Sequence, residues 1–171
     1  ICSGLVGSEM CIRDRYTLAA NQGKVKAQYN LGVIYYEGRA VPQDYEEAVR
    51  WYTLAAKQGD AMAQFNLASM YEDGHGVSQD DREAIKFYTL AARQGYATAQ
   101  SNLGLMHYNG QGVLADPVIA HMWFNIAAAN GAESAGANRD IIAKEMTSED
   151  ISKAEAMARA CFNSNYEKCG Y

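Results

Sequence analysis

Apolar residues recur along this chain in stripes that fit one face of an α-helix. Ala48, Trp51 and Tyr52, followed by Ala55, have the i, i+3, i+4, i+7 spacing of a helix that is buried on one side. The same stripe returns at Ala84, Phe87, Tyr88 and Ala91, and again at Ala120, Trp123, Phe124 and Ala127. A second kind of stripe comes before the first of these, at Ala27, Leu31, Ile34 and Tyr35. The pattern predicts two kinds of amphipathic helix in alternation, and no strand signal competes with it.

Short segments of the sequence repeat at one interval of 36 residues. The segment YTLAANQG begins at Tyr16, and its relatives YTLAAKQG, YTLAARQG and FNIAAANG begin at Tyr52, Tyr88 and Phe124. The segments AQYNLG, AQFNLA and AQSNLG begin at Ala27, Ala63 and Ala99. Two separate motifs with the same period indicate a repeat protein in which each unit buries its apolar face against the next. The predicted fold class is all-α: an α-solenoid of antiparallel helix pairs, or α/α superhelix.

Helix boundaries follow the same period. Asp44 and Glu47 have the spacing of a capping box at a helix start, and Asp116 precedes Pro117, which suits a first helical turn. The segment TSED, which begins at Thr147, predicts the start of a last helix. Three glycines stand where a left-handed helix cap is expected: Gly59, Gly95 and Gly131.

The repeat resembles that of the Sel-one-like repeat family, whose units are tetratricopeptide-like. The matching residues in one unit are Ala63, Gln64, Asn66, Leu67, Met70, Tyr71, Gly74, Gly76, Val77, Asp80, Ala84, Tyr88, Ala91, Ala92, Gln94 and Gly95. The departures are Ala40 for a connector glycine, Ala68 for a helix glycine and His107 for a tyrosine. The resemblance implies a protein that scaffolds complexes, often in bacterial envelope or signalling contexts.

The period divides most of the chain into units. We expect a truncated first repeat at residues 16–23, repeats at about 24–59, 60–95 and 96–131, and degenerate capping helices at 132–171. Residues 1–15, ICSGLVGSEMCIRDR, do not share the repeat, and Gly4 to Arg15 resemble a translated sequencing-library adapter. A signal peptide would need a basic start and an apolar core of about 7–15 residues, which this segment lacks. We therefore predict that residues 1–15 are a non-native, adapter-like segment.

Charge and hydropathy narrow the range of partners. The net charge is −5, and no run of Lys or Arg suggests a phosphate-binding surface. No stretch approaches the roughly 18 consecutive apolar residues of a membrane helix. We therefore expect a protein or peptide partner, and neither nucleic acid nor a membrane span. The sequence leaves the oligomeric state open.

No motif for catalysis, a cofactor or a metal is present. The sequence has no P-loop, no dinucleotide fingerprint and no His-Glu-x-x-His. His107 takes the place of a core tyrosine, and His121 lies beside an apolar stripe. Cys161 and Cys169 have two interpretations: a disulfide in an oxidising compartment, or free thiols in the cytosol. The first interpretation slightly favours a periplasmic or secreted protein.

Candidate partner-binding residues lie on the first helix of each repeat, which lines the concave face of a solenoid. Beside the core stripe, these positions vary between repeats: Tyr29, Val33, Tyr36, Phe65, Ser69, Glu72, Ser101, Leu105 and Tyr108. Variation at one position in a fixed scaffold fits a surface shaped for a ligand, or merely sites under weak constraint. The asparagines at one phase are Asn30, Asn66, Asn102 and Asn138. They either bridge neighbouring repeats by hydrogen bonds or hold the backbone of a bound peptide.

The main functional hypothesis is a non-catalytic scaffold or adaptor that binds a protein or peptide on the concave face. One alternative is an enzyme, because some bacterial members with cysteine-rich repeats are β-lactamase-like or penicillin-binding. This chain lacks the cysteine pair in each repeat that marks those members. Another alternative is the capping end of a longer array, with no binding of its own.

The adapter interpretation predicts a result at the level of DNA. Contiguous genomic sequence upstream of the Tyr16 codon should not encode LVGSEMCIRD, and should instead encode either a signal peptide with further repeats or a cytosolic domain. Genomic sequencing across this junction checks the expectation. A genome that encodes the segment in frame would show that residues 1–15 are native.

Overall fold

The computed structural model describes residues 5–167 and Cys169, with side chains from Ile12 onward. Residues 1–4 of the predicted adapter-like segment lie outside the described residues, and its remainder forms the start of the first helix. The elements are α1 (Leu5–Asn21), α2 (Val25–Glu37), α3 (Tyr45–Lys57), α4 (Ala61–Asp73), α5 (Asp81–Ala92), α6 (Ala97–Asn109), α7 (Pro117–Ala129), α8 (Glu133–Ile142), a 3-10 turn (Ala143–Glu145) and α9 (Ser148–Asn163). The non-native origin of residues 1–15 stays a prediction.

Helix starts follow the predicted period. The first helices of the pairs, α2, α4, α6 and α8, begin at residues 25, 61, 97 and 133. The second helices α3, α5 and α7 begin at residues 45, 81 and 117. All elements of residues 5–167 are helical or turn, which confirms the predicted all-α solenoid class. The chain forms two compact units, residues 1–80 and 81–171, and the boundary falls between α4 and α5.

The predicted apolar stripes form the core of the first unit. Leu31 of α2 is fully buried, and it packs in one cluster with Trp51 of α3 and Ala20 of α1. Small residues such as Ala48 and Ala55 line the same face of α3 and are also fully buried. Their size lets the helix backbones approach closely while the aromatic rings fill the remaining space.

In the second unit, α7 is the central helix. It packs against α6, α8 and α9, so it is apolar around most of its circumference. Trp123, Phe124 and Ile126 are buried to within one per cent of their surface. Phe124 shares a cluster with Ala135 and Ile142 of α8.

Side-chain caps fix several helix starts. The Asp44 carboxylate accepts from the backbone N–H of Glu47 at 3.0 Å, and Asp116 accepts from two amides of the first turn of α7. Thr147 accepts from the N–H of Asp150 at 3.1 Å. Gly59, Gly95 and Gly131 all have positive φ just beyond a helix end. The caps and the glycines are thus used as predicted, but the capping box at Asp44 is only half formed, because the Asp44 N–H donates to the carbonyl oxygen of Tyr35 at 2.9 Å.

A buried glutamine secures the turn between each helix pair and the next. The Nε2 atoms of Gln28, Gln64 and Gln100 donate to the carbonyl oxygens of Ala20, Ala56 and Ala92 at 3.2, 3.2 and 2.9 Å. The three glutamines are at most 4% exposed. Each acceptor lies in the last turn of the preceding helix, where carbonyl groups lack helical partners. The same carbonyl oxygens also accept from the backbone N–H groups of Gly23, Gly59 and Gly95 at 2.9, 3.0 and 3.0 Å, so each glutamine adds a second hydrogen bond to an acceptor that the turn already pairs.

In the second unit, the carboxyl-terminal tail extends the hydrogen bonds of Gln100 through Asn130 to Tyr166. Asn130 donates to the Oε1 atom of Gln100 at 2.9 Å and exchanges hydrogen bonds with the phenol of Tyr166 at 2.9 and 3.1 Å. Cys161 and Cys169 form a disulfide whose Cα atoms are 4.5 Å apart. The bridge closes the loop that carries Tyr166, and it therefore holds the ring over the end of α7.

The connectors within the repeats depend on one backbone conformation. Gly76 and Gly112 have φ values of +70° and +68°, and Ala40 takes the same conformation, with φ +62°, at the equivalent position. A Cβ atom on Gly76 would collide with the carbonyl group of Tyr45, at the start of α3. At Gly59, where φ is +90°, a Cβ would meet nothing within 4 Å.

We therefore expect alanine at Gly76 to lower the free energy of unfolding more than alanine at Gly59. Gly59→Ala should cost about 1–2 kcal/mol, because only left-handed strain is added. Gly76→Ala adds a collision with backbone and should cost more than about 3 kcal/mol. Ala40→Gly should stabilise by about 0.5 kcal/mol, since strain relief of about 1–2 kcal/mol exceeds the added entropy of the unfolded chain. Urea unfolding of the three variants checks the order, and equal losses at Gly59 and Gly76 would contradict it.

Candidate functional site

The first unit contains a pocket between the first helices of two neighbouring repeats. This α2–α4 pocket has a volume of about 310 Å³. Its lining residues are Tyr29, Val33, Tyr36 and Glu37 of α2, Tyr52 of α3, and Phe65, Asn66 and Ser69 of α4. The helix period puts these side chains on the faces of α2 and α4 next to the core stripe. Polar and aromatic groups therefore meet in one concavity.

Tyr52 forms the floor of the α2–α4 pocket. Its side chain is about 1% exposed, and its ring lies where a Cβ atom on Gly32 would stand, only 2.5 Å away. Glycine at position 32 therefore gives the ring its place against α2. Burial raises the pKa of the Tyr52 phenol well above its usual range, although the hydrogen bond with Asn66 works in the opposite direction. The phenol is un-ionised at neutral pH and presents a fixed polar group.

Aromatic rings form the walls. The rings of Tyr29 and Tyr52 are 6.0 Å apart between centroids, and those of Tyr36 and Tyr45 are 5.4 Å apart. Tyr45 also stacks on His75 with an interplanar angle of 7°. Such contacts limit the rotation of the side chains, so a ligand would meet surfaces that are already ordered.

Two exposed carboxylates, those of Glu37 and Asp73, lie at the connector end of the α2–α4 pocket. Burial raises the pKa of the Tyr36 phenol, and Tyr45, Asp73 and Glu37 add to the rise. The Ser69 hydroxyl donates to the Asp73 carboxylate at 3.2 Å. Arg39 forms an exposed ion pair with Glu37. The Tyr36 phenol therefore lies in the negative field of two carboxylates from different helices.

The second unit has an equivalent pocket two repeats further along the chain. This α6–α8 pocket holds only about 80 Å³. Its lining residues are Leu105, Tyr108, Phe124, Asn138, Ile141 and Ile142. Phe124 stands in the register of Tyr52, and Ile141 stands in that of Ser69. The larger apolar side chain fills space that serine leaves open, and the floor has no hydroxyl group.

The structure brings together six of the predicted partner-binding residues in the α2–α4 pocket: Tyr29, Val33, Tyr36, Phe65, Asn66 and Ser69. Leu105 and Tyr108 line the α6–α8 pocket, and Asn30 lines a third pocket of about 250 Å³ with Val33 and Tyr16. Glu72 and Asn102 lie outside these three pockets, and Ser101 is buried. Whether any of these residues binds a partner stays a prediction.

Sequence reasoning missed two residues of the α2–α4 pocket, Glu37 and Tyr52. Tyr52 belongs to an apolar stripe, and its spacing alone indicates only a core role. Its hydroxyl group distinguishes it from Phe124 at the equivalent position, which was the available signal. Glu37 is the last residue of its helix and lies outside the stripe, so helical periodicity did not indicate it.

Asparagine bridges neighbouring repeats at one position, because Asn66 of α4 bonds Tyr52 of α3. The hydrogen bonds from a side chain to the backbone of the preceding helix are made by the glutamines instead. Their signal was the recurrent Ala-Gln at the start of each motif, in which a polar residue keeps one phase beside a core alanine. Buried polar groups at a fixed phase indicate hydrogen bonds in the scaffold.

Histidines are the remaining candidates for chemistry, and two of them are buried. His107 and His121 are each 3% exposed. Burial lowers the pKa of both imidazoles, and Arg139 adds to the decrease at His121. Among the residues that the structure describes, no group of three or more His, Cys, Asp or Glu side chains could hold a metal ion. The helices of this part of the chain are also too short or too polar to cross a membrane.

A family model for the Sel1 repeat matches residues 25–60, 61–96 and 97–131, which is more than half of the chain. The chain belongs to the Sel1 repeat family. The resemblance to Sel-one-like repeats is thereby confirmed. Members of this family generally mediate interactions between proteins, and Sel1 scaffold proteins are generally non-catalytic.

Two crystal structures of bacterial proteins are similar to this Sel1 repeat chain. A Sel1 repeat protein from Oxalobacter formigenes is 29% identical with a TM-score of 0.67, over 85% of this chain and 67% of that protein. The protein c5321, a protective antigen present in uropathogenic Escherichia coli strains, is 30% identical with a TM-score of 0.58. That match covers 92% of this chain but only 41% of c5321. A comparison with curated proteins found no match.

The buried histidines predict a loss of stability in acid. Both histidines have a pKa below the ordinary 6.5 in the folded protein. As the pH falls below about 6.5, the unfolded chain takes up protons first, so the free energy of unfolding decreases until the pH passes the lowered folded pKa. His107→Tyr carries the residue that the two preceding repeats have at this position, Tyr35 and Tyr71.

We expect His107→Tyr to reduce the difference in Tm between about pH 7.5 and about pH 5.5. Circular dichroism melts of the variant and the parent chain at both pH values measure this difference. A smaller difference in Tm between the two pH values is informative even if the larger ring alters Tm at both of them. An unchanged pH dependence would show that His107 does not contribute to it.

Proposed function

We propose that this Sel1 repeat chain is a non-catalytic adaptor that binds an extended peptide segment of a partner protein in the α2–α4 pocket. The observation that carries the proposal is the pocket itself, about 310 Å³ in volume and lined by four aromatic rings. First helices supply all but one of its lining residues, and we assign this surface as the concave face. The proposal rests on the family's general role and on the chemistry of the lining.

The pocket is better suited to bind an extended peptide than to bind the flat surface of a folded protein. Pockets of roughly 300 Å³ or more hold a compact ligand group. Tyr29, Tyr36 and Phe65 offer rigid area with little loss of side-chain entropy, as in many protein interfaces. The Asn66 side chain supplies an amide at the floor, which can hydrogen-bond the main chain of a ligand. A side chain with its adjoining backbone fits this combination.

The proposal includes a periplasmic or secreted location. The Cys161–Cys169 disulfide would persist in an oxidising compartment and would be reduced by thiols in a typical cytosol. Partners are then to be sought among exported proteins.

A single substitution tests the α2–α4 pocket. Ser69→Ile should fill it, because Ile141 stands at the equivalent position of the smaller α6–α8 pocket. Random dodecapeptides displayed on phage are selected on the immobilised chain, and the affinities of the selected peptides are measured by fluorescence polarisation. We expect Ser69→Ile to raise Kd by at least about tenfold.

The matched control is Ser152→Ile, the same change at an exposed position of α9. It should leave Kd within about twofold of the parent value. Failure to select any peptide would contradict the proposed function. So would a selected peptide that binds both variants and the parent equally.

A further inference from the structure

We infer that the α2–α4 pocket takes a basic side chain, lysine or arginine, of the bound peptide, with its charged end between Glu37 and Asp73. The inference rests on the proposed function and specifies the chemistry of the occupant. It is carried by the charges at one end of the pocket and by the aromatic lining of its walls.

Two helix ends supply negative charge to the same place. Glu37 is the last residue of α2, and Asp73 is the last residue of α4. Glu37 lines the pocket, and the Asp73 carboxylate accepts a hydrogen bond at 3.2 Å from Ser69, which also lines it. The carboxyl-terminal ends of the two helices add the negative poles of their dipoles. A cation at this end would meet four negative contributions.

The protein's own cations neutralise this end only in part. No Lys or Arg is among the residues that line the pocket. Arg39 pairs with Glu37, but both side chains are exposed, and such a surface pair contributes little and rearranges easily. Asp73 receives a hydrogen bond from neutral Ser69, which orients the carboxylate without removing its charge. A ligand cation would therefore meet a carboxylate that this hydrogen bond orients.

The walls fit the rest of a basic side chain. Lysine and arginine have apolar stems that pack on hydrophobic surface while the charged group remains near solvent. Val33 and Phe65 provide that surface, and the faces of Tyr29 and Tyr36 favour a nearby cation. An acidic side chain would be repelled by Glu37 and Asp73. An apolar side chain would cover their charge without compensating it.

The equivalent pocket of the second unit lacks this combination. Asn109 stands in the register of Glu37, and Ile141 stands in that of Ser69. Glu145, in the register of Asp73, accepts a hydrogen bond from Tyr108 at 3.0 Å. The features expected of a basic-side-chain site therefore belong to the α2–α4 pocket and do not follow from the repeat as such.

The test uses the peptides selected on the full chain. We expect them to share a Lys or Arg at one position, and replacement of that residue with norleucine should raise Kd by at least about tenfold. The double variant Glu37→Gln, Asp73→Asn should raise Kd of the unmodified peptide by a similar factor. The control Glu46→Gln, Glu133→Gln removes two exposed carboxylates elsewhere and should leave Kd within about twofold.

A second probe does not depend on peptide selection. Nα-acetyl-lysine methylamide is titrated into the labelled chain, and the norleucine analogue serves as its control. The lysine probe should shift the side-chain amide resonances of Asn66 in the parent chain and leave them unshifted in the Glu37→Gln, Asp73→Asn variant. Equal shifts from both probes would overturn the inference.

The outcomes separate this inference from the proposed function. Peptides that lose affinity with Ser69→Ile but tolerate norleucine would overturn the basic side chain and leave the adaptor function in place. Peptides that need their basic residue but are insensitive to the double variant would place the cation elsewhere and would also overturn the inference. Absence of any peptide sensitive to Ser69→Ile would overturn the proposed function itself.

Discussion

The structure depends on a hydrogen bond from a buried glutamine side chain to the last turn of the preceding helix. An apolar contact can slide by a fraction of a turn, whereas an amide must meet its carbonyl acceptor within a narrow range of distance and angle. The bond from Gln64 to Ala56 sets the position of α4 against α3. Since Tyr52 lies on α3 and Asn66 on α4, the same bond sets the floor of the α2–α4 pocket. Packing supplies most of the stability, and the glutamine supplies the register.

Sequence alone predicts the helices because their signals are local and occur several times. The stripe around Trp51, the cap at Asp44 and the glycine at Gly59 all describe the same helix, and each has a counterpart 36 residues later. The family match is consistent with this agreement. The conformation of Ala40 is different, because a residue with a Cβ adopts a backbone that two glycines take elsewhere. Periodicity identifies residue 40 as the equivalent of the two glycines, but it does not show that an alanine adopts the strained left-handed backbone there.

The pocket could be predicted only in part, because its volume depends on combinations of side chains. Variation along the first helices pointed to Tyr36 and Ser69, but the phase of a helix does not show how much space remains between two of them. Tyr52 and Phe124 share one sequence pattern and differ by one hydroxyl group. Together with further exchanges, such as Ser69 for Ile141 and Val33 for Leu105, that difference separates a polar pocket of about 310 Å³ from an apolar one of about 80 Å³. A fixed scaffold thus carries unlike surfaces at equivalent positions.

Tyr166, in the carboxyl-terminal tail, occupies a position that follows the 36-residue period of the repeats. Tyr166 stands 36 residues after Asn130, where a further repeat would carry a side-chain amide. The Tyr166 phenol hydrogen-bonds the Asn130 side chain, as such an amide could. The ring is not carried there by a helix of its own but by a short loop tethered through Cys161 and Cys169. The disulfide thus positions this side chain, whereas a helix pair positions the equivalent side chains of the repeats. The conformation of this turn therefore depends on the redox state of two cysteines, whereas the turns that Gln28 and Gln64 secure depend only on the folding of their neighbours.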